Sequence, residues 1–228
     1  VDGSGDKVGM GVATPLAKLH ISSADSGQGS IDTTGDELVV EGSGHSGMSI
    51  LSGNSSTGAI YFGDDGDKNI GYVAYDHSGN SFKIATSNSE WVKVTSTGQV
   101  GINESTPDCD PGSITLNQGA NDTNIMTYKS SDVAHGMTTF METDTFCEVK
   151  KAGTADGGIS FEAATEVTRA INLDARYTTS NTTKSTSANG AHYIRALKKS
   201  GTSAGAMGAD DNILCMADGS TARFIFDA

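Results

Sequence analysis

Large apolar side chains are scarce in this sequence. Leu, Ile, Val and Phe together supply 41 of 228 residues, about 18%, a share that in a strongly charged chain usually signals disorder. Basic residues are also few: 15 Lys and Arg stand against 28 Asp and Glu, a net charge of −13. A phosphate-gripping face needs the opposite balance, so nucleic acid is excluded as a partner. No apolar run is long enough to cross a bilayer, and membrane insertion is not expected. No basic start with a short apolar stretch marks a secretory signal. Val1 and Ala228 read as cuts within a longer polypeptide, for which that absence carries no weight.

Cysteine is limited to Cys109, Cys147 and Cys215. Three thiols at wide spacings, with no CxxC and no Cys/His cluster, exclude a disulfide framework and a zinc module. His20, His45, His77, His135 and His192 stand alone, with no HxH pair. Isolated imidazoles of this kind read as hydrogen-bonding packing residues. Neither a Ser/His/Asp pattern nor a phosphate loop ending in GKS or GKT is spelled out, and the expectation is a protein without enzymatic activity and without a cofactor.

What is present is a series of short alternating segments punctuated by Gly, Asn, Asp and Ser. The spacing predicts strands over 18–21, 37–41, 48–51, 59–62, 69–75, 81–85 and 91–95. Further strands are expected over 113–116, 124–128, 137–141, 146–150, 158–161, 170–173, 192–197, 213–216 and 223–226. Period-two alternation is clear where Trp91, Lys93 and Thr95 interleave with Val92 and Val94. Residues 162–170 are the best short helix, and 178–189, almost wholly Ser, Thr, Asn and Lys, read as an exposed loop.

The segment Val8-Gly9-Met10-Gly11-Val12-Ala13-Thr14-Pro15 returns 92 residues later as Val100-Gly101-Ile102-Asn103-Glu104-Ser105-Thr106-Pro107. Each copy follows a polar turn, Gly3-Ser4-Gly5-Asp6-Lys7 or Ser96-Thr97-Gly98-Gln99. The physical reading is a strand entry ended by a forced bend, since proline fixes its own φ and disfavours helix at the preceding threonine. A long-period repeat argues for an array of modules, residues 1–107 and 108–228, rather than one globule.

The phrase from Val8 to Pro15, continued by Leu16-Ala17-Lys18-Leu19-His20-Ile21, resembles a motif of bacteriophage tail fibres: a VGIG, a Thr-Pro turn, then a Lys-Leu-x-Val strand. Residues 38–108 are similar to a module of marine phage fibres, with Gly47-Met48-Ser49-Ile50-Leu51, Gly58-Ala59-Ile60-Tyr61-Phe62 and Gly71-Tyr72-Val73-Ala74-Tyr75. The second copy departs from the pattern, with Asn103-Glu104-Ser105 in place of small residues. The resemblance implies an elongated homotrimer of β-sandwich or β-prism modules in a virion. Such a chain would join other fibre or baseplate proteins and serve as shaft or as attachment to a host surface glycan or protein. Two other readings stay open: a polysaccharide-cleaving tailspike, and a subunit of a cellular extracellular filament or adhesin.

Two weak sites complete the expectation. Asp64, Asp65, Asp67 and Asn69 offer oxygen ligands of the kind calcium takes, but without the spacing and distal Glu of a calcium loop. Trp91, Tyr61, Tyr72 and Tyr75 offer flat amphipathic faces for a sugar, although aromatics on strands more often pack within sheets.

Overall fold

A computed structural model describes residues 6–186 and 188–228. Gly3, Ser4 and Gly5 of the first turn and Ser187 of the 178–189 loop lie outside the described residues. Among the described residues the chain is all-β, with sixteen strands in five sheets and no helix. It divides into two compact units, residues 1–127 with 148–161 and residues 128–147 with 162–228.

The first sheet joins β1 (Val8–Met10), β2 (Leu19–Ser22) and β3 (Leu38–Glu41), all parallel. The second has six strands in chain order: β4 (Thr57–Phe62), β5 (Gly71–Asp76), β6 (Ser81–Thr86), β7 (Ser89–Val94), β8 (Val100–Ile102) and β9 (Ile114–Leu116). Its pairs are antiparallel except β8 with β9, which run parallel.

Glycine and proline explain how β1 and β8 are followed so soon by a parallel partner. A Cβ on Gly9 would stand 2.6 Å from the Val12 carbonyl oxygen and 2.9 Å from Cγ of Pro15. A Cβ on Gly101 would stand 2.1 Å from the Glu104 carbonyl oxygen and 2.9 Å from Cγ of Pro107. In both segments the chain folds back over the glycine, and the proline ring closes on it. Two residues beyond each glycine the backbone turns left-handed, at Gly11 (φ 80°) and at Asn103 (φ 53°). Asn is among the few residues with a side chain that visit this region readily.

In the six-stranded sheet the register aligns Ile60, Val73, Ile84, Val92, Ile102 and Leu116 in one row across every strand. Two residues along, Gly58, Tyr75, Phe82, Val94, Val100 and Ile114 form a second row. Side chains alternate across a strand, so these rows share one face, and it carries no charge. Between them, on the opposite face, lies Ala59, Ala74, Lys83, Lys93, Gly101 and Thr115. The buried residues Ala74, Ser81, Ala85 and Gly101 all belong to this face, which also carries the cross-strand pair Tyr61 and Tyr72. Lys83 Nζ lies 3.1 Å from Asp76 Oδ2, and Lys93 Nζ donates to the Ser105 carbonyl at 2.8 Å. The apolar face is the open one: Ile84 is 37% and Ile114 62% exposed.

The first sheet repeats this inversion. Val8, Leu19 and Leu38 form one row, and Met10, Ile21 and Val40 another on the same face. All six are at least partly exposed, while His20, on the opposite face, is 1% exposed.

Strands β10 (Asn124–Lys129), β11 (Thr145–Gly153) and β12 (Gly157–Ala163) form a three-stranded sheet in chain order. A short hairpin pairs β13 (Lys198–Ser200) with β14 (Ser203–Gly205). A longer one pairs β15 (Asn212–Asp218) with β16 (Thr221–Asp227). Within it, Leu214 faces Phe226, Cys215 faces Ile225 and Met216 faces Phe224, so apolar groups stand on both faces of a two-stranded ribbon.

Several expected elements are corrected. Residues 48–51 form no ladder; Ile50 instead lies beside Gly58, where a Cβ would come within 3.3 Å of its Cγ2. Residues 137–141 make a tight turn, with the Phe140 amide donating to the Met137 carbonyl at 3.1 Å, and Met141 is buried. Residues 170–173 and 192–197 are irregular; the strand near the latter begins at Lys198, set by the hairpin turn at Gly201 (φ 62°). The helix over 162–170 is absent. Glu162 and Ala163 finish β12, and the β-branched Thr165, Val167 and Thr168 that follow are poor helix formers.

Candidate functional site

A partly enclosed arrangement of polar groups lies under the first sheet. Residues 11–16 curl over the inner face of β2 and β3, and with His20, Ser22 and Glu41 they line a cleft of about 430 Å³. His20 Nδ1 accepts the Leu16 amide at 3.2 Å, which places the imidazole proton on Nε2. That nitrogen stands 3.0 Å from Glu41 Oε2, but it makes no aligned hydrogen bond, so the contact is electrostatic. Glu41 Oε1 accepts from the Ser26 amide at 2.9 Å and from Ser26 Oγ at 2.7 Å. These bonds, then Ser22 and His20, hold the Glu41 carboxyl down at about 2.

Chemically this is a clamp. A general base needs a free lone pair on the imidazole, and that of His20 is taken by a backbone amide. Ser22 Oγ donates to the Ala24 carbonyl at 3.2 Å. The group ties the 11–16 and 24–28 loops to the sheet. Because the Glu41 pKa is depressed on folding, its stabilisation is fully present above about pH 4.5 and is lost as pH falls toward 2. Thermal melts should therefore show wild type above Glu41→Gln at pH 6, with the gap closing between pH 4.5 and 2. A gap independent of pH would remove the carboxylate from the account.

The acidic turn spends its oxygens on its own backbone. Asp64 Oδ1 accepts from the amides of Gly66 (2.9 Å) and Asp67 (2.8 Å), and Asp67 Oδ1 from that of Asn69 (3.1 Å). Asp67 Oδ2 accepts from Asn88 Nδ2. The Asp64 pKa is lowered by its two backbone bonds and that of Asp67 chiefly by Asn88. Asp65 makes no such bond among those described. Among the described residues, no group of three or more His, Cys, Asp or Glu is placed to hold a metal ion.

The aromatic candidates divide. Tyr61 and Tyr72 are cross-strand partners whose rings meet edge-on at 6.1 Å. Tyr75 is on the other face, in the Phe82 row, beside His77 (ring centroids 4.9 Å) and with its hydroxyl 3.4 Å from Asn80 Oδ1. Trp91 is the extra residue of a bulge between the Ile84–Val92 and Ala85–Glu90 pairs, its Nε1 donating to the Thr86 carbonyl at 3.2 Å. The structure thus brings Tyr61 and Tyr72 together and leaves Tyr75 with Phe82, a neighbour that sequence spacing did not single out.

His135 repeats the role of His20 in the second unit. It is buried, with Nε2 2.7 Å from the Thr145 carbonyl and Nδ1 accepting the Met137 amide at 3.3 Å. No family model matches this chain, and no match is found among curated proteins or solved structures.

Proposed function

We propose that this chain is a structural and adhesive segment of a virion tail fibre, a homotrimer acting as shaft or host-attachment module. The observation that carries the proposal is the lack of a core within one chain. Among the described residues, the buried apolar side chains are Pro15, Ala17, Ala74, Ala85, Met141 and Ala164. A fibre subunit has this character because its apolar strands are completed by copies of itself. Repeated copies also let weak surface contacts add up to firm attachment. The sequence resemblance to tail fibres supplies the number three and the virion setting.

Electron microscopy with an antibody raised against residues 1–228 tests the reading. Labelling confined to the appendages of phage particles is the expected result. Labelling of filaments on uninfected cells would replace the virion reading by that of a cellular adhesin.

A further inference from the structure

We infer that the apolar face of the six-stranded sheet is a homotypic interface, covered by the same face of further copies of this chain; this rests on the oligomeric reading above. The row Ile60, Val73, Ile84, Val92, Ile102 and Leu116 crosses all six strands without interruption by a polar residue. A sheet folded as a monomer buries such a row and leaves its lysines in water. Here the reverse holds: Lys83 and Lys93 occupy the face with the buried alanines, while in the uninterrupted row Ile60, Ile84 and Ile102 are exposed and Val73, Val92 and Leu116 are only half-buried.

Two considerations identify the occupant as another copy. The face carries no charge to recognise a partner of different chemistry, while the chain as a whole carries −13. Distinct acidic chains would repel one another except where uncharged surfaces meet, so a neutral sheet face is where like molecules can approach. Finally, a sheet with no buried large side chain needs its cover whenever it is folded, and the partner present in fixed proportion to every chain is the chain itself.

The test compares two neighbouring positions of β7 in the purified assembly. Val92→Cys places a thiol in the open apolar row, and Lys93→Cys places one on the opposite face. Maleimide labelling is read peptide by peptide by mass spectrometry, with light scattering on the same samples. The expected result is an oligomer in which the thiol at position 92 reacts at least about 100-fold more slowly than that at 93, the two rates converging in denaturant. An oligomer in which the thiol at position 92 reacts as fast as it does in denaturant would overturn this interface and leave the oligomeric reading standing. A folded monomer would overturn both. Since the chain is purified alone, protection cannot come from a foreign partner.

Discussion

Gly101→Ala is expected to lower stability by about 3 kcal/mol or more per chain, the upper range for forcing an atom into filled space. The added Cβ would stand 2.1 Å from a backbone oxygen, that of Glu104, and 2.9 Å from the Pro107 ring. Neither is the free end of a flexible side chain, so relief requires moving the whole 103–107 loop and with it the carbonyl of Ser105 that Lys93 holds. Gly9→Ala meets the Val12 oxygen at 2.6 Å and should follow with a smaller loss. Gly44→Ala meets nothing within 4 Å and should be nearly neutral. Asn103→Val places a β-branched residue at φ 53° and should cost about 1–2 kcal/mol. Urea midpoints on the four variants check the ranking. Equal midpoints for Gly101→Ala and Gly44→Ala would show that the loop yields without cost and that the close packing over Gly101 is incidental.

The second large effect is expected on dilution. If the apolar rows of the first two sheets are completed only by other copies, folding and association are one transition, and no stable folded monomer lies between. For a trimer, each tenfold dilution then removes about 2.8 kcal/mol per trimer, since two association steps are each weakened by about 1.4 kcal/mol. The melting temperature should rise steadily with protein concentration, and strand signal in circular dichroism should disappear together with the oligomer in light scattering. A concentration-independent melt from a folded monomer would mean that the sheets bury their apolar rows within one chain after all. The β15–β16 hairpin sharpens the expectation, because a two-stranded ribbon is marginal alone, and Phe224, Ile225 and Phe226 are each more than half exposed.

Turns and strands could be read from the amino-acid order wherever the cause is local. The alternation around Trp91–Val94, the Asp and Gly turns, and the bends at Pro15 and Pro107 are set by φ preferences and by side chains alternating along one strand. Where a segment is apolar but has no partner within reach, as at 48–51 and 170–173, composition alone suggested a strand that the hydrogen-bond ladder does not supply. The His20–Glu41 clamp was invisible for a similar reason. It joins residues 21 positions apart through the parallel pairing of β2 with β3, and nothing near either residue announces the other.

Amino-acid order alone establishes a chain that is rich in short strands, acidic, poor in large apolar groups and without a recognisable catalytic pattern. Which face of each sheet is open follows only from the fold. That depends on register between strands as distant as β4 and β9, from Thr57 to Leu116, and a slip of one residue in any pair would exchange the faces. With the register in place, the large apolar residues of the first two sheets fall in unbroken rows on one face, while Gly9 and Gly101, on the opposite faces, pack against their own prolines.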